Sequence, residues 1–206
     1  MRLPIMFTGI IQSVGTITKL RNKNGATLCA INPFLHHNWK AGESVSINGI
    51  CSTIVSVATN SFHVAYMPHT VSLTTIPQWK RGLRVNVEPS LKVGDEISGH
   101  FVMGHIDGIA RIIAIKSEAE QTSITVQMPH TLLRYSIPRG SISLDGVSLT
   151  IAEARKDAII VRITPYTLAH TTLRYRKKGD FLNVEIDTLV RTLLWKPTIS
   201  KRKKRA

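Results

Sequence analysis

Polar and apolar residues alternate in short segments along much of the chain. Residues 44–48 read Ser-Val-Ser-Ile-Asn, and residues 85–88 read Val-Asn-Val-Glu. Between them lie residues 53–57, which are β-branched or small, and the largely apolar residues 62–67, which end before Pro68. Alternation with a period of two is typical of half-buried β-strands, and the intervening Gly, Pro and Asn residues favour tight turns. The pattern therefore predicts short antiparallel strands.

The same pattern occurs a second time. Residues 44–88 align without gaps on residues 141–185, and 15 of these 45 positions are identical. Random matching at ordinary composition would give about three identities. Matches at an offset of 95 extend each unit to about 90 residues, roughly 6–97 and 101–187. Two copies of so long a unit do not make a solenoid, so we expect two similar globular domains.

Each unit contains about six predicted strands, and closure into a small antiparallel barrel would remove the exposed sheet edges. We therefore predict an all-β fold of two similar six-stranded Greek-key β-barrels in tandem plus a short C-terminal α-helix. The N-terminal barrel is assigned to residues 1–97, the C-terminal barrel to residues 98–187, and the helix with a basic tail to residues 188–206.

The predicted helix occupies residues 187–194. Its apolar positions follow the spacing i, i+1, i+4, i+5 after the acidic residue Asp187, which is typical of a capped amphipathic helix. The helix could pack on one barrel or pair with copies of itself, and the period alone does not choose between these arrangements.

The charge of the chain is uneven. There are 27 Lys and Arg residues against 13 Asp and Glu residues, which gives a net charge of +14. Six of the basic residues lie in residues 196–206, so residues 1–195 carry +8. The other basic residues are spread through the sequence without a dense stripe, and the 6% aromatic content is low for a protein that stacks bases. We therefore expect no nucleic acid partner for the barrels.

Cysteine usage and hydropathy indicate a cytoplasmic setting. Cys29 and Cys51 are the only cysteines, and they form no CxxC motif, so neither a disulfide framework nor a zinc site is expected. No run of about 18 apolar residues predicts a membrane span, and the first residues do not resemble a secretory signal. Translation could start at Met1 or at Met6.

The repeated glycine motifs suggest paired ligand sites. In residues 49–53 and 146–150, a glycine precedes a strand that places a small polar atom and a threonine hydroxyl on one face. A glycine allows a flat ligand to approach the backbone, and the hydroxyls suit a heterocycle rich in N–H and C=O groups. Two copies of one barrel would then bind two copies of one ligand, although duplication retained for stability alone is an equally good explanation of the fold.

Several motifs resemble those of riboflavin synthase of the alpha-chain type over nearly the whole chain. Thr-Thr-Leu at 171–173 and Asn-Val-Glu at 86–88 and 183–185 also resemble paired elements of that family. The longer motifs are Met-Phe-Thr-Gly-Ile-Ile at 6–11, Gly-Ile-Cys-Ser-Thr at 49–53, Gly-His-Phe-Val-Met-Gly-His-Ile-Asp-Gly at 99–108 and Asp-Gly-Val-Ser-Leu-Thr at 145–150.

The resemblance implies an enzyme. The implied reaction is a dismutation in which one 6,7-dimethyl-8-ribityllumazine donates a four-carbon unit to another, giving riboflavin and 5-amino-6-(ribitylamino)uracil. It implies no cofactor and no metal, and the sequence contains no phosphate-binding glycine loop or HExxH motif. It also implies a homotrimer with active sites between subunits, and association with lumazine synthase is a possible further partnership.

Matching the motifs position by position predicts two substrate pockets. The N-terminal pocket comprises Gly9, Ile10, Ile11, Cys51, Ser52, Thr53, Met67 and Thr70. The C-terminal pocket comprises Gly104, His105, Ile106, Ser148, Leu149, Thr150, Thr164 and Thr167. Arg139 stands where the family usually has a lysine that reaches a neighbouring subunit. Arginine keeps the charge but changes the geometry of that contact.

The candidate catalytic residues are His105, Ser148, Cys51, Asp187 and Ser44. We expect His105 to carry protons in the C-terminal pocket, because a neutral imidazole both accepts and donates near pH 7. His100 precedes it by five residues and would face the opposite way on a regular strand, so we assign it a structural role. Each of the others has an ordinary alternative, such as a buried thiol for Cys51, a turn hydroxyl for Ser44 and a helix cap for Asp187.

Two other functions fit parts of the pattern. A non-catalytic paralogue, like the lumazine-binding antenna proteins of luminous bacteria, would share the duplicated barrels but lack the second site. The retained His105, Ser148, Thr150 and Asp187 argue against it. A basic β-barrel that binds RNA would instead show salt-sensitive affinity without residues 196–206.

Overall fold

A computed structural model describes residues 6–23, 26–118 and 120–194 of the chain. Its strands form two closed six-stranded antiparallel barrels, each with Greek-key strand order, as the sequence predicts. The strands of the first barrel are β1 (Ser13–Lys23), β2 (Ala26–Asn32), β3 (Ser44–Ile47), β4 (Ile50–Ala58), β5 (Ser61–Tyr66) and β6 (Arg84–Pro89). Those of the second are β7 (Gly108–Ser117), β8 (Thr122–Gln127), β9 (Ser141–Leu144), β10 (Val147–Ala154), β11 (Ala158–Ile163) and β12 (Phe181–Ile186).

The neighbour order is the same in both barrels. In the first it is β1-β2-β5-β4-β3-β6, and in the second β7-β8-β11-β10-β9-β12 closes in the equivalent way. Each barrel encloses its own apolar core, formed by the inward positions of the alternating strands. Ile47 and Phe62 are fully buried in the first barrel, and Leu144 and Ile142 are fully buried in the second.

Short helices connect or follow the strands. They are α1 (Pro68–Leu73), α2 (His130–Leu133), α3 (Pro165–His170) and α4 (Thr188–Leu194), with 3-10 turns at Ile76–Gln78 and Thr172–Tyr175. The helix predicted after the second barrel is α4, and the cap is confirmed because the backbone N–H of Leu189 donates to Asp187 Oδ1 at 2.9 Å. No helix in the described ranges is long and apolar enough to cross a membrane. The basic tail and the alternative start at Met1 lie outside the described residues.

Two-residue turns of the same form close the β3–β4 and β9–β10 hairpins. Asn48 and Gly49 have φ of 47° and 80°, and Asp145 and Gly146 have φ of 48° and 80°. Asn-Gly and Asp-Gly are the preferred pairs for hairpin turns whose two central residues are left-handed. Gly49 and Gly146 therefore supply the second left-handed residue that each hairpin turn requires.

These two turns meet between the barrels. A Cβ atom added to Gly49 would lie 2.7 Å from the backbone nitrogen of Gly146, and one added to Gly146 would lie 2.6 Å from that of Gly49. Both glycines thus allow a backbone-to-backbone approach as well as a left-handed turn. The reciprocal contact is that of a local two-fold axis relating the two repeats.

Buried asparagines hold the turns across this axis. Asn86 Nδ2 donates to the Asp145 carbonyl oxygen at 2.8 Å, and Asn183 Nδ2 donates to the Asn48 carbonyl oxygen at 2.8 Å. The amide oxygen of Asn86 accepts from the backbone N–H of Thr172, and that of Asn183 accepts from the backbone N–H of Thr75. Each asparagine is fully buried, so each side chain satisfies two backbone groups of the opposite repeat.

Substitution of Gly49 should show how much the inter-barrel contact contributes. In Gly49→Ala the new methyl group meets the Gly146 backbone, whereas in Gly94→Ala, also left-handed at φ 97°, it meets no atom within 4 Å. Left-handed strain alone costs about 1–2 kcal/mol, and the clash should add about 1–3 kcal/mol for Gly49→Ala. The free energies of unfolding in urea measure both. Equal losses in the two variants would contradict the tight contact.

Candidate functional site

The segments that carry the two glycine motifs at 6–11 and 99–108 each lie against the barrel of the other repeat. The backbone N–H of Cys51 in the first barrel donates to the Gly104 carbonyl oxygen at 2.9 Å. The backbone N–H of Ser148 in the second barrel donates to the Gly9 carbonyl oxygen at 2.9 Å. An isolated bridge between Phe7 and Val102 joins the segments where they cross.

The grouping predicted from sequence is therefore wrong for these segments. Gly9, Ile10 and Ile11 were expected in the N-terminal pocket, but a Cβ on Gly9 would lie 2.6 Å from Ser148 Cβ, and Ile11 packs against the second barrel's core. Gly104, His105 and Ile106 were expected in the C-terminal pocket. A Cβ on Gly104 would lie 2.6 Å from Cys51 Cβ, and Ile106 packs against the first core.

A buried glutamate fixes each crossed segment. Glu88 accepts from the backbone N–H groups of Thr8 and Gly9, at 2.7 and 3.1 Å, and from the Thr8 hydroxyl at 2.9 Å. Glu185 accepts from the backbone N–H groups of Met103 and Gly104 at 2.7 and 2.9 Å. Burial raises the pKa of each glutamate to about 7, although the hydrogen bonds they accept oppose the shift.

The outer face of β4 and the crossing segment 103–107 form the first site. Cys51 and Thr53 face outward on β4, as the sequence predicts, and His105 beside Gly104 is exposed. Met67, at the start of α1, is 66% exposed at the rim. Burial, assisted by the charge of Glu185, raises the pKa of the Cys51 thiol, so it is protonated at neutral pH. This favours a contact role for Cys51 over a nucleophilic one.

The outer face of β10 and residues 8–11 form the second site. Ser148 and Thr150 face outward there, and Ile10 is 39% exposed. Ser148 Oγ lies 2.7 Å from His100 Nδ1, while the buried Nε2 of His100 has no partner among the described residues. Burial lowers the pKa of His100, and the nearby charge of Asp187 partly opposes this shift. The imidazole is therefore neutral at pH 7, and its Nε2 is the nitrogen left without a partner in the described part of the chain.

This arrangement corrects the assignment of the two histidines. Residues 103–107 are not a regular strand, so the alternation that separated His100 from His105 does not apply. His105 lies at the first site rather than the C-terminal pocket, and the histidine beside Ser148 is His100. Sequence reasoning missed His100 because its contact with Ser148 spans 48 residues and two chain segments.

Two predicted substrate-binding residues point into the barrels instead of outward. Ser52 is 2% exposed, and its hydroxyl lies 2.9 Å from the Tyr66 hydroxyl. Leu149 is 7% exposed and belongs to the second core. Both follow an outward residue directly, and the period of two along a strand turns them to the opposite face. Their side chains therefore cannot reach a ligand on the outer face.

The remaining predicted residues occupy several places. Thr70 lies on α1, and Thr164 caps α3 by accepting from the backbone N–H of Thr167 at 3.2 Å. Ser44 is buried at the start of β3, opposite Thr53 in the strand register. Arg139 is exposed, with a left-handed φ of 67°. It occupies the repeat position of Gly42, which has a φ of 84°.

A further contact links α4 to the first site. Asp107 accepts from the backbone N–H of Ile186 at 2.8 Å and forms an ion pair with Arg191 of α4. Burial raises the pKa of Asp107, and the positive charge of Arg191 opposes the shift. The end of the second barrel, the C-terminal helix and the segment that carries His105 are thus joined at one carboxylate.

Comparison with known proteins agrees with this duplicated arrangement. The family model described as lumazine binding domain matches residues 8–90 and again residues 103–187. A riboflavin synthase of Brucella abortus (strain 2308) is 35% identical over 192 residues, covering 90% of this chain and 95% of that protein. A riboflavin synthase of Bacillus subtilis (strain 168) is 33% identical over 185 residues, covering 89% and 86% of the two chains.

Solved structures share the fold. A crystal structure of LumP complexed with riboflavin superposes with a TM-score of 0.82 at 24% identity, covering 88% of this chain and 99% of that one. A structure of LumP complexed with 6,7-dimethyl-8-(1'-D-ribityl) lumazine gives a TM-score of 0.80 with the same identity and coverage. At this identity the likeness establishes the fold alone.

Replacing Glu88 should alter the pH dependence of stability. The folded-state pKa of about 7 exceeds the ordinary 4.5, so the folded state binds more protons between these values. The free energy of unfolding should therefore fall as pH rises from 4.5 to 7, by up to about 3 kcal/mol for this carboxyl. In Glu88→Gln the decline should be shallower, because this titration is absent.

Urea unfolding at intervals between pH 4.5 and 7.5 measures the decline. The exposed Glu96→Gln serves as the matched control and should follow the original protein at every pH. A slope in Glu88→Gln that equals the original slope would contradict the raised pKa.

Proposed function

We propose, on the premise that this chain belongs to the duplicated lumazine-binding domain family of riboflavin synthases, that it is itself a riboflavin synthase. The reaction joins two molecules of 6,7-dimethyl-8-ribityllumazine by transfer of a four-carbon unit. The products are riboflavin and 5-amino-6-(ribitylamino)uracil. The observation that carries the proposal is the pair of equivalent outer-face sites, in which Cys51 with Gly104 and Ser148 with Gly9 repeat one geometry.

Orientation supplies the first part of the rate enhancement. A reaction between two copies of one molecule needs one binding site for each copy, and two repeat-related sites provide that. Holding two reactants in a productive geometry is worth up to about 7–11 kcal/mol. The outer faces of β4 and β10 suit this task, because small side chains point outward there beside the backbone of a glycine. They are Cys51 and Thr53 in the first site and Ser148 and Thr150 in the second.

The two sites differ in the chemistry they offer. In the second site, the Ser148 hydroxyl is hydrogen-bonded to the neutral imidazole of His100. Asp187 lies close enough to affect the pKa of this histidine through its charge. The first site has a protonated thiol, Cys51, at the equivalent position. Donor and acceptor lumazines must behave differently, so this asymmetry suits a dismutation.

We assign the proton transfers of the second site to Ser148 and His100. The substrate carries acidic methyl protons and electrophilic ring carbons, so proton transfer is the chemistry that the protein must assist. The neutral imidazole of His100 is hydrogen-bonded to Ser148 through Nδ1, and its Nε2 has no partner among the described residues. It can therefore relay a proton between the Ser148 hydroxyl and an adjacent group. Such acid–base assistance is worth about 10²–10⁴ in rate.

We further propose that a homotrimer completes the active site. The rims of both sites expose apolar side chains, with Met67 at 66% and Ile10 at 39%, which a neighbouring subunit would cover. On α4, Leu189 is 54% exposed and Leu193 is 82% exposed, one turn apart on the same face. Helix association through these leucines would bring the first site of one subunit to the second site of another.

A cytoplasmic location also belongs to the proposal. Cys29 is buried, Cys51 is half-buried, and both are free thiols, as a reducing compartment permits. Association with lumazine synthase stays a prediction.

The alternative is a non-catalytic protein that binds a lumazine or a flavin. The LumP structures support this alternative only through their shared fold, since they hold a lumazine or riboflavin on the same architecture. Incubation of the protein with 6,7-dimethyl-8-ribityllumazine, followed by absorbance and chromatography of riboflavin, distinguishes the two functions. Catalytic formation of riboflavin supports the synthase, whereas tight lumazine binding without turnover would support the alternative.

Replacement of His100 should separate proton transfer from binding. In His100→Gln we expect kcat to fall by at least about 10²-fold, while the Kd for the lumazine changes little, because the substrate face of β10 is intact. In the original protein kcat should decline on the acid side with a midpoint below 6.5, since burial lowers the pKa of His100 from that value. This acid limb should be absent in the variant.

The exposed His130→Gln is the matched control and should keep both kcat and the acid limb. Steady-state rates between pH 5 and 8 and equilibrium lumazine binding provide the measurements. A His100→Gln enzyme with the original kcat would exclude the assigned relay.

Charged residues on α4 should break the trimer. The double variant Leu189→Glu, Leu193→Glu places two carboxylates on the exposed apolar face, and burying them between helices would be strongly unfavourable. Light scattering should give the monomer mass of 22.9 kDa. Thr188→Glu adds a charge to the first turn of the same helix, off the face that carries Leu189 and Leu193, and should leave the oligomer intact. A trimer that persists in the double variant would show that α4 does not hold it.

A further inference from the structure

A second concave surface lies between the barrels, lined by none of the residues placed in the two sites described above. It is a cleft of about 540 Å³ between two repeat-related turns, residues 80–83 and 177–180. In each turn the lysine carbonyl accepts from the backbone N–H three residues later, at 3.0 Å for Lys80 and 3.1 Å for Lys177. Its volume lies within the range of small-molecule sites, about 300–1,000 Å³.

Positive charge dominates the lining. Five of its side chains are cationic and one is anionic. The cations are Lys80, Arg81, Arg84, Arg176 and Lys177, and the anion is Asp180. The five cations come from two short repeat-related segments, 80–84 and 176–177, and the fold brings these segments together around one concavity.

Most of these cations have no acidic partner. Arg176 forms an ion pair with the buried Asp145, but within the described ranges Lys80, Arg81 and Lys177 form none. Arg84 also lacks an ion pair there, and its guanidinium instead lies 4.0 Å from the centre of the Tyr175 ring. This cation–π contact limits the movement of the Arg84 guanidinium, whereas an arginine without such a contact moves freely at the surface. The cleft therefore presents unneutralised charge, part of it pre-positioned.

Polar groups beneath the cleft are also left without partners. In the first repeat, Trp79 Nε1 donates to the Thr75 hydroxyl at 3.1 Å. In the second repeat Arg176 occupies the position of Trp79 and turns to Asp145, so the equivalent hydroxyl, that of Thr172, has no partner in the described part of the chain. Thr172 lines the cleft and is 2% exposed, and Arg176 Nε is likewise unpartnered. Buried polar groups in proteins rarely lack a hydrogen-bond partner. These two groups are therefore available to a ligand in the cleft.

We propose that this cleft binds a small multivalent phosphate anion, either free pyrophosphate or the phosphate chain of a nucleotide. The four cations that form no ion pair among the described residues line one concave site, where their fields add and water screens them less than on a convex surface. Arginine and lysine together are the usual donors to phosphate oxygens, with arginine binding two oxygens at once. A concavity of this size suits a small anion rather than a nucleic acid backbone, which needs an extended basic track.

Isothermal titration of the full-length protein tests the proposal with three ligands: pyrophosphate, ATP and adenosine. We expect saturable binding of pyrophosphate and of ATP, weaker at higher salt, and no binding of adenosine. Similar affinities for the two anions indicate that the phosphates alone are bound, and ATP that binds at least about tenfold more tightly indicates a nucleotide. Absence of saturable pyrophosphate and ATP binding, or binding of adenosine alone, would overturn the proposal.

A pair of double variants locates the site. Lys80→Gln with Lys177→Gln removes one exposed cation from each turn and should weaken pyrophosphate binding at least tenfold. Lys116→Gln with Lys156→Gln removes two exposed cations that do not line the cleft and should change the affinity less than twofold. Equal weakening in both would refute the cleft as the site, because it would indicate diffuse charge, including that of residues 196–206.

Two further readouts complete the test. The urea midpoints of the original and both double variants should agree, since all four lysines are exposed, and a folding defect would be seen there. A single-stranded oligonucleotide that displaces pyrophosphate and binds more tightly per phosphate would overturn the small-anion proposal in favour of nucleic acid. The proposal does not depend on lumazine turnover, so it can fail while the synthase proposal stands.

Discussion

The reciprocal hydrogen bonds of Asn86 and Asn183 are the interaction on which the rest of the molecule depends. Each asparagine lies on the last strand of one barrel and bonds only to backbone groups of the other repeat through its side chain. Loss of either side chain would leave a buried carbonyl and a buried N–H unpaired, at about 1–3 kcal/mol for each group. The barrels are therefore not two independent modules joined by a linker, because each one supplies hydrogen-bond partners to buried backbone groups of the other.

The same reciprocity builds the sites. Residues 6–12 and 98–107 cannot join the barrels as strands, since both barrels are already closed. A carboxylate at the end of β6 or β12 takes the place of a strand partner and accepts the free N–H groups of the crossed segment. Crossing then places Gly104 beside Cys51 and Gly9 beside Ser148. One duplicated device thus produces two sites, and each is made from both repeats.

Much of this fold follows from local sequence. Alternation gives the strands, and Asn-Gly and Asp-Gly give the hairpin turns. The capped helix after Asp187 is equally local. The crossing of the segments is not local, since it depends on hydrogen bonds between residues that are 53 to 139 positions apart. The assignment of Gly9 to the N-terminal pocket and of His105 to the C-terminal pocket was therefore wrong. The paired Asn-Val-Glu motifs carried the missing signal, because a polar pair buried on a barrel strand needs partners from elsewhere.

The residues whose side chains or glycine backbones make the reciprocal contacts are unchanged between the repeats. Asn86 and Asn183, Gly49 and Gly146, and Glu88 and Glu185 are the same residue in both repeats, and all serve the crossing or the contact between barrels. Of the 45 aligned positions, 30 differ, and among them are Cys51 with Ser148, Trp79 with Arg176, and Asn48 with Asp145.

Two of these differences, Asn48 with Asp145 and Trp79 with Arg176, depend on each other, because Asp145 and Arg176 form an ion pair. Asp145 keeps the hydrogen bond that Asn48 makes to the asparagine N–H of the last strand, at 2.9 Å against 2.7 Å, and uses its second oxygen for Arg176. A buried carboxylate without that cation would be costly, so neither replacement is tolerable alone. The exchange keeps the inter-barrel contact intact while it adds a cation on one side of the cleft. Function could therefore diverge between the copies only at positions that leave the shared scaffold satisfied.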